Sequence, residues 1–165
     1  LRSISKPAGY LVFFLDFLKG LIATTWFLIP WIAFSGDLSL GFWGLPAAVI
    51  GHTYPLFTGF KGGKGVATTM GGLLGIMPGC LFLGLVTWAI IFFSTRYVAL
   101  ASIGFGVSLP VCAVVSTWSD QDSVSVFGKV FLAFIIMSLI VWRHRSNIMR
   151  LRTGTENRFQ KKNKE

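Results

Sequence analysis

Six stretches of this chain are almost continuously apolar, and short polar segments separate them. They run roughly over Gly9–Ala33, Leu40–Leu56, Val66–Ile76, Gly79–Ser94, Val98–Thr117 and Val126–Trp142. Residues 65–95 hold no Asp, Glu, Lys or Arg in 31 positions, and 97–119 hold none in 23. Either run is long enough for a helix of roughly 20 residues to cross a hydrocarbon core of ~30 Å. Continuous rather than alternating apolarity disfavours a β-barrel. The pattern predicts an all-α, polytopic helical membrane protein, with residues 1–165 forming a single integral-membrane domain of about six transmembrane or re-entrant helices. The third segment is short for a span and is expected to be tilted, sheltered or re-entrant, with Pro78 and Gly79 breaking it from the fourth.

If all six cross, both termini lie on one side, and the connections sort by charge. One side receives Arg2, Lys6, Lys61, Lys64, Arg96 and the C-terminal cluster; the other receives Asp37, Asp120 and Asp122, with Lys129 the only nearby cation. The positive-inside rule assigns the lysine loop, Arg96 and the basic segment 143–165 to the cytoplasm. Three polar motifs far apart in sequence are thus expected on one membrane face, where they can converge on one site.

Composition sharpens this picture. Hydrophobic residues make up 53% of the 165 and charged residues 13%, about half the charge of a soluble domain, and the mean hydropathy is +0.69. The formal charge of +9 is uneven, because eight of the fifteen Lys and Arg residues fall between Arg143 and Lys164. A basic tail after a final apolar run fits an anionic-lipid-facing end, and nucleic acid is not an expected partner. Cys80 and Cys112 sit in apolar runs and read as buried thiols. Two His and two Cys at these spacings match no zinc pattern, so no metal is expected. No internal repeat is evident, which argues against a transporter built from duplicated halves. The chain opens at Leu1 with no initiator Met and no signal sequence, and is expected to be a fragment or a processed chain.

Three polar clusters carry candidate chemistry. In Lys61-Gly62-Gly63-Lys64-Gly65-Val66-Ala67-Thr68, glycines let successive N–H groups turn toward one concavity. A helix starting near Gly65 would add its positive end, and Lys61 or Lys64 the countercharge. The stretch lacks the GxxxxGK[ST] order of a nucleotide P-loop. It reads either as a phosphate cradle or as a flexible loop whose lysines enforce topology. The second cluster is Ser94-Thr95-Arg96-Tyr97 with Ala101-Ser102; Arg96 is either a topological anchor or a fork for phosphate. In the third, Arg143-His144-Arg145-Ser146-Asn147-Ile148, a continuous helix would put His144 and Asn147 at i and i+3 on one face. A neutral imidazole there can accept a hydroxyl proton while the amide orients a substrate; the bland alternative is an ordinary basic juxtamembrane segment. Glu156 is expected to tie down arginines. Within the spans, Asp16 and Lys19 either satisfy each other or line an inner cavity, since a charge near the bilayer centre costs about 2.5–3.5 kcal/mol. His52, three residues before Pro55, is expected to be structural or a wall of that cavity. Gly71, Gly72, Gly75, Gly104 and Gly106 supply either helix contacts or a groove for an acyl chain.

Gly51-His52-Thr53-Tyr54-Pro55-Leu56-Phe57 running into Phe60-Lys61-Gly62-Gly63-Lys64-Gly65-Val66-Ala67-Thr68 resembles the central motif of the bacterial membrane acyltransferases of the PlsY type. Leu15-Asp16-Phe17-Leu18-Lys19-Gly20, Thr95-Arg96-Tyr97-Val98 with Ala101-Ser102, and His144-Arg145-Ser146-Asn147-Ile148 with Gly154-Thr155-Glu156-Asn157 resemble the family's other blocks in the same order. The resemblance spans essentially the whole chain. It implies a seven-helix protein of the bacterial inner membrane, multi-pass, with active site and C-terminus on the cytoplasmic side. Such proteins transfer a fatty acyl group from acyl phosphate to the 1-hydroxyl of glycerol 3-phosphate, giving lysophosphatidic acid and phosphate. The resemblance further implies that Lys61, Gly62, Gly63, Lys64, Gly65 and Thr68 bind glycerol phosphate and that Arg96, Ser102, His144 and Asn147 serve catalysis. Asp16, Lys19, His52 and Glu156 are assigned structural support, with membrane lipids around a monomer and no cofactor. In the family a further helix and a Ser-Gly-Asn…Ala-Thr-Asn loop precede the segment where this chain begins, so six of the seven helices are expected here, with Arg2 in place of the family's loop arginine. Ala99 stands where many relatives have Ser.

An acyl phosphate is already activated, so holding two phosphates and aligning hydroxyl with carbonyl suffices. The proton goes to His144 or to a bound phosphate, whose second pKa is about 6. With no His–carboxylate dyad visible in the sequence, substrate assistance is slightly preferred. A transporter of a phosphorylated solute and a purely structural membrane subunit are the competing readings; cations gathered on one side favour interfacial chemistry.

Overall fold

The computed structural model describes residues 6–26, 39–60, 62–117 and 123–160. Expectations for Arg2, Asp37, Lys61, Asp120 and Asp122 lie outside these residues. The described residues form seven helices and no strand: α1 (Lys6–Thr25), α2 (Ser39–Thr53), α3 (Val66–Ile76), α4 (Pro78–Thr95), α5 (Val98–Ser116), α6 (Ser123–Arg143) and α7 (Arg145–Arg152). Each of the six apolar segments is a helix, and α7 is an additional short polar one. Pro7–Thr25, Pro78–Thr95, Val98–Ser116 and Val126–Arg143 are long and apolar enough to cross a membrane. At 15 and 11 residues, α2 and α3 are shorter than a simple span requires.

Local chemistry accounts for the boundaries. The first helix is described to Thr25, where the Thr24 and Thr25 hydroxyls turn back onto the carbonyls of Gly20 and Leu21; its expected end at Ala33 lies outside the described residues. The second ends at Thr53, three residues before the expected Leu56, because Pro55 crowds the residue before it out of helical geometry. Leu56–Thr58 forms a single 3-10 turn after that proline, closed by Gly59 in the left-handed region. Met77 ends α3 and Pro78 starts α4 at a first-turn position, where its missing N–H costs nothing.

The chain divides into two compact units, Leu1–Leu81 and Phe82–Glu165. In the first, α1 and α3 approach so closely that a Cβ at Gly20 would collide with the Thr68 carbonyl, and one at Gly71 with the Phe17 carbonyl. Small residues at such crossings let helix backbones touch, the packing that replaces hydrophobic drive in lipid. Helix α2 completes this unit through Leu45 and Val49, both essentially buried, with Leu45 against Gly72 of α3 and Val49 against Gly65. In the second unit α5 packs on α6, with Phe105, Leu109 and Ala113 of α5 and Ile136 and Ile140 of α6 all buried, and Phe105 and Leu109 lie against Gly84 of α4. Gly106 lies against Ile140 and Gly104 against Ile91, while Gly72 and Gly75 meet Leu45 and Thr24. These glycines are therefore helix contacts. Cys80 and Cys112 are buried among apolar side chains, as expected. Phe13, Phe14, Ile22, Phe82, Ile90, Phe93 and Val111 are exposed, an apolar exterior suited to hydrocarbon in a multi-pass membrane protein.

Candidate functional site

Each unit builds one polar cluster. In the first, the Asp16 Oδ1 atom accepts from Lys19 Nζ at 3.0 Å and stands 3.2 Å from His52 Nδ1. Asp16 and His52 are 16% and 12% exposed, whereas Lys19 is 62% exposed. A charge on a span thus finds its partners within this unit, as the cost of isolation demands. The arrangement corrects the sequence-based view that the chain offers no His–carboxylate pair. Its members come from α1 and α2, so no spacing rule connects them.

His52 also seats the glycine loop. The Gly63 N–H donates to the His52 carbonyl at 3.3 Å and the Gly62 N–H to the Thr53 carbonyl at 3.2 Å. A side chain at Gly63 would run into the His52 imidazole. The expected concavity of successive loop N–H groups is therefore not what Gly62 and Gly63 form, because both bond to the end of α2. Gly65, in the left-handed region at φ 79°, turns the backbone into α3, and the first helical bond runs from Thr69 N–H to Gly65 O at 2.8 Å. The N–H groups of Val66 to Thr68 precede any acceptor four residues back, leaving the positive helix end beside the exposed Lys64. Thr68 itself is fully buried, with its carbonyl against Gly20 of α1. Among the described residues no hydrogen-bond partner meets the hydroxyl of Thr53, Thr68 or Thr69. A cleft of about 810 Å³ opens beside the loop, lined by Asp16, Lys19, His52, Gly62 and Gly63 together with apolar residues such as Ile22.

Because Asp16 holds two cationic or hydrogen-bonding partners, Asp16→Leu is expected to lower the detergent melting temperature, with ~1–3 kcal/mol lost where His52 stays unpaired. Asp16→Asn retains an acceptor and is expected to lose less. Equal melting temperatures for the two variants would deny the pair a structural role.

In the second unit Arg96 sits in the turn between α4 and α5, in the left-handed region at φ 63°. A residue with a Cβ pays roughly 1–2 kcal/mol to stand there. The turn is tied by Thr95, whose hydroxyl donates to the Ile91 carbonyl at 2.7 Å and accepts from the Tyr97 N–H at 3.3 Å. The Arg96 guanidinium lies 6.0 Å from the Phe93 ring centroid, and Phe159 donates its N–H to the Arg96 carbonyl at 2.8 Å. Ser102, on α5, is buried and accepts from Trp88 Nε1 at 3.4 Å.

The third motif departs from one continuous helix. The α6 helix ends at Arg143, His144 adopts a turn at φ −94° and ψ 7°, and α7 begins at Arg145. Helical spacing survives the break, since His144 N–H still bonds Ile140 O and Ile148 N–H still bonds His144 O. His144 and Asn147 consequently both point inward, at 2% and 3% exposure. His144 Nδ1 lies 2.8 Å from the Ile140 carbonyl. A carbonyl only accepts, so Nδ1 carries a proton and Nε2 is the accepting nitrogen of the neutral ring. Asn147 Nδ2 and Arg150 Nε each donate to Glu156, at 2.8 Å to Oε1 and Oε2 respectively. Glu156 meets Arg150 as an arginine partner, as expected; Trp88 and Phe159 are the participants sequence reasoning passed over, and the signals were a Trp one turn from Phe92 and a lone aromatic in a basic tail.

Residues 1–154 match the family model described as glycerol-3-phosphate acyltransferase. A glycerol-3-phosphate acyltransferase of Aquifex aeolicus (strain VF5) is 45% identical over 159 residues, covering 96% of this chain and 77% of that protein. One from Halalkalibacterium halodurans is 37% identical over 175 residues, covering 98% and 76%. Among solved structures, PlsY (YgiH), an integral membrane glycerol 3-phosphate acyltransferase in its glycerol 3-phosphate form, superposes with a TM-score of 0.76 at 41% identity, over 96% of this chain and 74% of that one. Its lysophosphatidic acid form gives 0.75 at 42% identity. Family model, relatives and structures agree over nearly the whole length, and the chain belongs to the glycerol-3-phosphate acyltransferase family.

Proposed function

We propose that this chain transfers a fatty acyl group from acyl phosphate to the 1-hydroxyl of glycerol 3-phosphate, releasing phosphate and lysophosphatidic acid for phospholipid synthesis. The observation that carries the reading is the inward-facing pair His144 and Asn147, one ring nitrogen tied to a carbonyl and the amide tied to Glu156. The hydroxyl oxygen forms the new ester bond as the bond from acyl carbon to phosphate oxygen breaks. His144 Nε2 takes the hydroxyl proton, since the Nδ1 tie orients the ring as an acceptor, and phosphate leaves with the electron pair. Asn147, Arg96 and Ser102 orient the reactants and offset charge on them. Lys64 and the first turn of α3 hold the glycerol phosphate, with Gly62, Gly63 and Gly65 setting that loop; Lys61 is assigned to the same loop from sequence. Asp16, Lys19 and His52 support it, and Thr68 contributes through packing against α1. The protein works as a monomeric, single integral-membrane domain among lipids of the bacterial inner membrane, with the site and the basic tail on the cytoplasmic side, where the positive-inside rule puts them.

The test is phosphate release from palmitoyl phosphate by the full-length protein in detergent, with and without glycerol 3-phosphate. Release that depends on glycerol 3-phosphate is expected; none from folded protein would reject the enzyme and favour solute transport. Within that assay, Lys64→Ala is expected to raise the KM for glycerol 3-phosphate ~10–100-fold, the equivalent of losing a charged hydrogen bond of about 1.5–3 kcal/mol. An unchanged KM across a concentration series would remove the loop from the site.

A further inference from the structure

We propose that the segment after α7, Thr155 to Phe159, is a strap that sets the conformation of Arg96, with Phe159 as a positioning residue for the acyl transfer. The strap is anchored at its start. The N–H groups of Thr155 and Glu156 both donate to the Arg150 carbonyl, at 2.8 and 3.2 Å, and the Glu156 carboxylate holds Asn147 and Arg150. Three residues later it closes on the α4–α5 turn, where the Phe159 N–H meets the Arg96 carbonyl at 2.8 Å.

The closing contact is more than one hydrogen bond. The Phe159 ring meets Phe92 edge-on at 5.6 Å, Phe92 stacks on Trp88 at 4.9 Å, and Trp88 Nε1 donates to Ser102. One run of side chains therefore joins the strap to Arg96 and to Ser102. A left-handed arginine persists only where its surroundings hold it, and here the backbone bond from Phe159 falls on that residue. Without it the turn is free to relax to a commoner conformation, which swings the guanidinium away from its place beside Phe93. Thr155 to Asn157 belong to the block that resembles the family, while Phe159 lies beyond both that block and the family-model match, which ends at residue 154.

The inference rests on the reading that Arg96 acts on a phosphoryl group of the substrates. The experiment measures kcat/KM with palmitoyl phosphate and glycerol 3-phosphate, together with the melting temperature, for Phe159→Ala, Phe159→Pro, Phe159→Tyr, Arg96→Ala and Phe159→Ala/Arg96→Ala. Phe159 is 55% exposed, so its variants are expected to fold. Phe159→Ala loses the ring and Phe159→Pro the N–H; each is expected to cost about 10-fold or more, the scale of a displaced catalytic group. Phe159→Tyr keeps both features and is expected to match the parent protein. If the strap works through Arg96, the double variant is no slower than Arg96→Ala alone. Parent-like kinetics in Phe159→Ala beside an impaired Arg96→Ala would overturn the strap, as would losses that multiply in the double variant. Parent-like kinetics in Arg96→Ala would instead overturn the role assigned to Arg96.

Discussion

Replacing His144 with alanine is expected to slow acyl transfer by ~10²–10⁴-fold, the range that a well-placed acid or base supplies. The geometry behind the number is specific. Nδ1 is committed to the Ile140 carbonyl, and the ring is 2% exposed at the junction of α6 and α7. A carbonyl only accepts, so Nδ1 holds a proton and Nε2 is the nitrogen that accepts one. Steady-state rates of the parent protein do not separate His144 from substrate assistance. Single-turnover transfer at saturating glycerol 3-phosphate does. Rates in His144→Ala within a few-fold of the parent's would return the proton to the phosphate and leave His144 as packing. His144→Gln, which can keep a hydrogen bond but cannot take up the proton, is expected to stay as slow as the alanine variant.

The sequence carried the helices well because a span must be apolar along its whole length. The uncharged runs 65–95 and 97–119 translated directly into α3, α4 and α5, and Pro78 marked the α3–α4 break as its missing N–H required. The site was legible as a set of residues but not as a set of contacts. Asp16 and His52 each stood out as ionisable groups in apolar segments, yet their pairing depends on how α1 packs on α2, which no periodicity encodes. Glycine composition signalled a backbone free to bind an anion. The structure instead spends the Gly62 and Gly63 N–H groups on the end of α2, a tertiary choice that the same composition permits. Glu156 shows the opposite case. As the sole acid before Glu165 in a basic tail it was readable as an arginine partner, and it does meet Arg150; its second partner, Asn147, required the turn that follows α7.

Glu156→Ala is expected to have the largest structural consequence, and its effect should exceed that of any exposed ion pair. The Glu156 side chain is only 8% exposed, while its partner Arg150 is 43% exposed. The arginine can recover solvation on its own, so the ion pair contributes little beyond the ~0–1 kcal/mol of a surface bridge. Asn147 is 3% exposed, and a buried amide donor that loses its acceptor costs about 1–3 kcal/mol. The asparagine, not the arginine, therefore dominates the loss. Arg150→Ala should consequently be mild in melting temperature, and Glu156→Ala severe. Glu156→Gln should lie between them, because its amide oxygen can still accept from Asn147 while its NH₂ group faces the Arg150 donor. The same order is expected in kcat, since Asn147 would lose the contact that orients it. A ranking in which Arg150→Ala is as damaging as Glu156→Ala would mean that the carboxylate serves the arginine and that Asn147 is positioned by other contacts.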